Sequence, residues 1–200
     1  IPFPSNLLFD DYLSSFDLVI FQNFKYDPFV DKKYLGNIQK YVQSGGAFLM
    51  IGGDLSFQGG GYSQTPIEEI LPVHFRERPQ SFVDASFQPT LNEEFIQHPI
   101  LRLEKDLALN REVWQSLPPL QGINKGLVAD KNAHVLAQYM KGEEPPVPIL
   151  VTGNYGKGRS VSLATDSVWN WNLRNVGSGG SGRYFQKFWN NVIDWLIAEP

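Results

Sequence analysis

The sequence predicts an α/β domain with parallel strands at its centre, and three observations carry that expectation. The runs Asp17-Leu18-Val19-Ile20-Phe21 and Ala47-Phe48-Leu49-Met50-Ile51 are short and mostly apolar, as strands buried on both faces are. Between them lies a stretch of helical period, so the three pieces form a strand–helix–strand unit with a right-handed parallel crossover. The chain closes on a second amphipathic segment, 183–197, whose Phe185, Phe188, Trp189, Val192, Trp195 and Leu196 fall on one stripe.

Each element has its own signal. Residues 1–9 carry two prolines and read as an arriving linker, so residues 1–16 form a linker or an incomplete first unit and the domain proper spans 17–200. Asp31 is placed to cap a helix over 31–44, with Tyr34, Leu35, Ile38, Tyr41 and Val42 spaced by three and four and Gly45-Gly46 as the stop. A glycine-rich loop, Gly52 to Tyr62, follows the second strand. Thr65-Pro66-Ile67-Glu68-Glu69 then combines a cap, a proline at the first helical position and an acidic first turn, and Pro72 keeps that helix short. Rough alternation over 74–91 suggests an antiparallel, β-rich excursion; 92–120 is mixed, with His98-Pro99 and Pro118-Pro119 as breaks. Ala133 to Tyr139 and Val147 to Thr152 read as strands. Asn154 to Gly158 reads as a hairpin turn into a further buried strand, Arg159 to Ala164. The stretch 170–182 reads as a polar loop, and its run 177–182 of Gly and Ser as a mobile one.

Composition narrows the function classes. The net charge of −4, with signs scattered along the chain, lacks the clustered basic face of a nucleic-acid binder. No apolar run reaches the roughly 18–20 residues of a membrane span, and no signal peptide is visible. The chain starts at Ile1 without a Met and reads as one piece of a longer polypeptide. With 5 Trp, 8 Tyr and 14 Phe there are aromatics enough for a core and for a surface or cleft besides. There are 0 Cys, which excludes disulfides, thiolate metal sites and a Cys nucleophile.

Three ordered stretches resemble one family. They are Tyr41 to Gly46 running through Met50-Ile51-Gly52-Gly53 to Ser56-Phe57; Gly60-Gly61-Tyr62 with Thr65-Pro66-Ile67 and Leu71-Pro72-Val73; and Tyr155 to Arg159 through Thr165-Asp166-Ser167 and Trp169-Asn170-Trp171 to the Phe188-Trp189 helix. Together they resemble the class I glutamine amidotransferase-like domain of large bacterial membrane proteins, which often also carry a von Willebrand factor A domain. The resemblance runs from about Asp17 to Leu196 and implies a flavodoxin-like three-layer sandwich with a mostly parallel central sheet. It also implies that the family's first strand and helix belong ahead of Asp17. It further implies a soluble domain of a membrane-anchored bacterial protein, with the parent's other domains as partners. In true amidotransferases a Cys sits on a sharp elbow and a His–Glu pair follows the strand matched here by Arg159 to Ala164. That position reads Thr165-Asp166-Ser167, and the chain has no Cys, so the triad and its glutaminase activity do not carry over.

Ligands of open α/β sheets bind beyond the strand carboxyl ends, where the 52–62 loop and the 165–171 segment are expected. Asp54 and Asp166 are therefore candidates to share a cleft, splitting into acid and base or holding a hard cation. The commoner use of such residues is as caps, Asp54 on the glycine loop and Asp166 on the turn after it. Ser56 is a nucleophile only beside a base, and none of His74, His98 and His134 stands in a recognisable partner motif or at metal-ligand spacing. Gly53, Gly60 and Gly61 offer amides to an anion or, more commonly, supply positive φ and close packing. No Walker or dinucleotide fingerprint is present, so no cofactor is expected. Tyr62, Ser167, Trp169, Trp171 and Arg174 complete the candidate ligand surface, suited to a small molecule, sugar, peptide or partner protein; one of the two tryptophans is expected to be core. Two readings follow: a binding module without catalysis, and a hydrolase using Asp54, Ser56 or Asp166, with or without a metal.

Overall fold

The computed structural model describes residues 5–77, 80–142, 145–177 and 182–198, without the side chains of 174–177. After two short helical turns, Leu7–Asp11 and Leu13–Ser15, come β1 (Leu18–Gln22), α1 (Lys32–Gln43), β2 (Ala47–Ile51) and α2 (Pro66–Ile70). The middle of the chain holds β3 (Val73–Phe75), β4 (Phe82–Phe87), β5 (Thr90–Leu91), α3 (Leu107–Ser116), β6 (Leu120–Asn124) and β7 (Leu127–Ala129). It ends with β8 (His134–Tyr139), β9 (Val147–Tyr155), β10 (Gly158–Leu163), α4 (Asn170–Gly177) and α5 (Arg183–Ile197).

Six strands form the main sheet in the order β1-β2-β10-β9-β8-β5. The expected parallel core is its first half: Leu18 and Arg159 both lie beside Ala47, and both strands run parallel to β2. Beyond β10 the sheet continues antiparallel through the β9–β10 hairpin, β8 and β5. Two ribbons, β3–β7 and β4–β6, make up the excursion, both antiparallel. β2 is buried at every position, as its apolar run predicts, because α1 and α5 both pack on it and on β10.

The long helices obey their sequence signals, whereas Thr65 precedes α2 without capping it, its hydroxyl donating instead to Tyr62 O at 2.6 Å. Asp31 accepts from Lys33 N at 2.9 Å, and Tyr34, Leu35, Ile38 and Val42 turn inward. On α5, Phe188, Val192 and Leu196 are buried, each adding about 1.5–3 kcal/mol of apolar transfer. Phe188 meets Trp171 and Trp114 edge-on at 5.3 and 6.2 Å.

Three stretches depart from expectation. The approach segment is partly core: Phe9 and Leu13 are buried, and Asn37 of α1 donates to Phe9 O at 2.9 Å. The mixed stretch contains α3, capped by Asp106 at Leu109 N and held by the buried Asn110, which accepts from Leu103 N and Glu104 N and donates to Leu101 O. The expected polar loop at 170–182 is helical over Asn170–Gly177, because Trp171 anchors its inner face with a hydrogen bond from Nε1 to Pro118 O at 3.0 Å. Residues 178–181 of the expected mobile run lie outside the described residues.

Candidate functional site

β1, β2 and β10 run in the same direction, so Asn23, Gly52-Gly53-Asp54 and Thr165-Asp166 emerge together at their carboxyl ends. The backbone there is tightly bound. Gly52 N donates to Leu163 O at 2.8 Å, and Asn23 N to Ile51 O at 3.2 Å. Gly52 has room for no side chain: a Cβ would lie 2.5 Å from both Asn124 Oδ1 and Thr165 N. Gly53 has φ +122°, a conformation that favours glycine.

Asn124, at the end of β6, fixes the loop from the other side. Its Oδ1 accepts from Gly53 N at 2.9 Å, its Nδ2 donates to Gly53 O at 2.8 Å, and its own N donates to Ala164 O at 2.8 Å. Asn23 adds a further bond, accepting from Leu55 N at 2.8 Å. Neither asparagine carries a sequence signal, because each becomes a partner of the loop only through the sheet.

Most of the candidate residues hold this arrangement together. Ser56 is 1% exposed and its hydroxyl donates to Ile51 O at 2.7 Å. The amides of Gly60, Gly61 and Tyr62 donate to Ser56 O, Gln58 O and Phe57 O, which turns them away from any anion. The Tyr62 ring is buried and its hydroxyl donates to Phe24 O; burial raises its pKa, and Tyr26 raises it further. Ser167 is buried, with Oγ accepting from Gln121 N at 2.8 Å and lying 2.9 Å from Thr165 Oγ1. Trp171 is core and Trp169 is 50% exposed, which divides the two tryptophans as expected. The Arg174 side chain lies outside the described residues.

Asp54 and Asp166 remain facing outward, Asp54 exposed and Asp166 partly buried. They are close enough to interact. Burial raises the Asp166 pKa, a hydrogen bond from its own backbone opposes this, and the Asp54 charge raises it again. Two neighbouring carboxyls can divide acid and base roles. The histidines stand apart from them: His74 pairs with Asp130, His98 caps the turn Pro99–Leu101, and His134 stacks on Phe95 at 4.6 Å. Among the described residues no group of three or more His, Cys, Asp or Glu side chains converges as a metal site.

A mixed α/β domain with its candidate site at the carboxyl ends of parallel strands is the class that fold and loop define. The chain belongs to the family GATase1_like, described as "Putative glutamine amidotransferase", whose model matches residues 16–198. None of the curated proteins matches it. Among solved structures it is similar to "Cytoplasmic Protein STM3548 from Salmonella typhimurium", with TM-score 0.71 and 23% identity over 98% of this chain and 76% of that one. A second is "Cytoplasmic Protein STM1381 from Salmonella typhimurium LT2", with TM-score 0.68 and 27% identity over 93% of this chain and 74% of that one. The β-galactosidase of Rahnella sp. R3 shares the fold at TM-score 0.56 and 16% identity; 93% of this chain matches 23% of that enzyme. Among the described residues no helix is long and apolar enough to cross a membrane.

Proposed function

We propose that this domain is a glutamine amidotransferase-like binding module, without glutaminase chemistry, within a larger membrane-associated bacterial protein. The observation that carries the reading is the absence of cysteine from the whole sequence, since the family reaction needs a thiolate nucleophile. The hydrogen bonding after β10 supports it. Thr165 and Ser167 bind each other and Gln121, and so occupy the triad's His–Glu position with structural bonds. The ligand or partner meets the surface formed by Asp54, Asp166 and the exposed face of Trp169, which suits a small molecule, a sugar, a peptide or a neighbouring domain of the parent. That a β-galactosidase carries this fold as 23% of its length supports the reading of a module built into longer chains.

The interaction between Asp54 and Asp166 favours one alternative, a hydrolase with these carboxyls as acid and base, metal-assisted or not. Turnover separates the two. Purified protein is assayed with glutamine and with ester, amide and phosphoester substrates, with and without divalent metal, beside Asp54→Asn and Asp166→Asn. The binding-module reading expects no turnover. Turnover abolished by both substitutions establishes the hydrolase, and robust glutamine hydrolysis overturns both readings.

A further inference from the structure

The opposite end of the molecule carries a second polar cleft that the proposed function leaves unused. β9 runs antiparallel to β10, so Asn154 and Tyr155 lie at the amino ends of the parallel strands, away from Asp54 and Asp166. There the β3–β7 ribbon, the end of α2 and the end of β9 enclose a cleft of about 800 Å³, within the range of small-molecule sites.

Its polar wall is built from two connected pieces. In the ribbon Val73 lies opposite Ala129 and His74 opposite Val128, and the turn after β7 is held by Asp130 N donating to Pro72 O at 3.1 Å. This brings Asp130 Oδ1, shielded from solvent, against His74 Nε2. A proton on Nε2 leaves Nδ1 as an acceptor. Across the cleft, Gln39 Nε2 donates to Glu69 Oε2 at 2.5 Å and to Tyr155 Oη at 3.0 Å. The phenol is thus an acceptor in that bond and keeps its own proton to donate. The His74–Asp130 contact stands at the surface, with side chains 63% and 35% exposed, where an ion pair contributes little to stability.

We propose that this cleft binds a neutral, hydroxyl-rich ligand of disaccharide size. Each hydroxyl both donates and accepts, and the wall interleaves the two: Tyr155, Lys131 and Asn154 donate, while His74 and Glu69 accept. A polyanion meets Glu69 and Asp130, and a hydrocarbon strips water from all these groups without replacing it. The partly exposed Val128 and Ala129 offer apolar surface for the C–H faces of a ring.

The test is an ¹H–¹⁵N NMR titration of the full chain with maltose, cellobiose and N,N′-diacetylchitobiose, and separately with inorganic phosphate and trialanine. The expected result is saturable shifts confined to residues 69–74, 129–133 and 153–155 with at least one disaccharide. Affinity should fall roughly tenfold in His74→Gln and in Asp130→Asn, the loss expected of one hydrogen bond. Both sites are at the surface, so urea midpoints of the variants should stay at the parent value, and Asn154→Ala provides an independent third variant. No saturable shift with any of the three sugars overturns the proposal. So do shifts unchanged in all three variants, and so does saturation of these residues by phosphate or trialanine instead.

Discussion

With both polar atoms of its side-chain amide bound to the backbone of Gly53, Asn124 holds the loop after β2 in place. Replacing it with Ala leaves the Gly53 N–H without this partner, at a cost on the order of 1–3 kcal/mol, while Gly53 O keeps its bond from Ser56 N at 3.3 Å. Asn124→Ala should therefore lower stability by about 1–3 kcal/mol in a urea titration. Gly52 is as constrained by space as Asn124 is by bonding. Gly52→Ala puts a methyl 2.5 Å from the Thr165 amide nitrogen, a backbone atom that cannot swing away, and should destabilise by a similar amount. The outward-facing carboxyls respond to charge rather than to packing. Removing the Asp54 charge with Asn should lower the Asp166 pKa, read by carbon-detected NMR, because one of the influences raising it is gone. An unchanged Asp166 titration would separate the two groups and remove the basis of a shared site.

Among the elements, α1 has one weak position. Gly36 stands inside the helix with nothing within 4 Å of a built Cβ. Gly36→Ala should raise stability by about 0.5–1 kcal/mol, mainly through the entropy of the unfolded chain. The same substitution at Gly36 and at Gly52 thus has opposite signs. The packing of α5 on the turn Pro99–Leu101 brings in a titration. Asn191 donates to Arg102 O at 3.0 Å, His98 Nδ1 accepts from Ile100 N at 3.3 Å, and the His98 ring lies 5.4 Å from Trp195 and 6.4 Å from His134. Burial lowers the His98 pKa to about 4, with the His134 charge adding to the effect. Its ordinary value is 6.5, so between 6.5 and about 4 the unfolded chain binds the extra proton. The stability tied to neutral His98 is complete above that window and is lost as pH falls through it. Urea midpoints should drop from pH 7 toward pH 4.5, and His98→Gln should flatten that slope.

Taken as a whole, the molecule couples a parallel half-sheet to an antiparallel one, and the junction is the β9–β10 hairpin. Parallel strands direct Asn23, Asp54 and Asp166 to one end, and the antiparallel return of β9 delivers Tyr155 to the other. The two candidate sites are therefore separate, and substitutions at Asp54 should leave any binding at the His74 cleft unaffected. The prediction at this scale concerns chemistry: the intact chain should show no thiol-dependent glutamine turnover, and any trace activity should survive iodoacetamide, since there is no Cys to alkylate.

Local patterns reach as far as elements whose signals are contiguous. The sequence by itself determined β2 and α5 to the residue, the Asp31 cap, the parallel crossover and the absence of any cysteine, because apolar period, capping and residue identity are local properties. It missed α3 and α4, whose order depends on the distant partners of Asn110 and Trp171, namely the 101–104 segment and Pro118. Only the tertiary structure decided which candidate residues support the loop and which face solvent. Ser56, Tyr62, Ser167 and Trp171 are drawn inward by carbonyls and amides that the fold alone brings within reach, while Asp54 and Trp169 stay outside. A buried polar group must find a partner, and where that partner lies is set by strand order, which no single stretch of sequence contains.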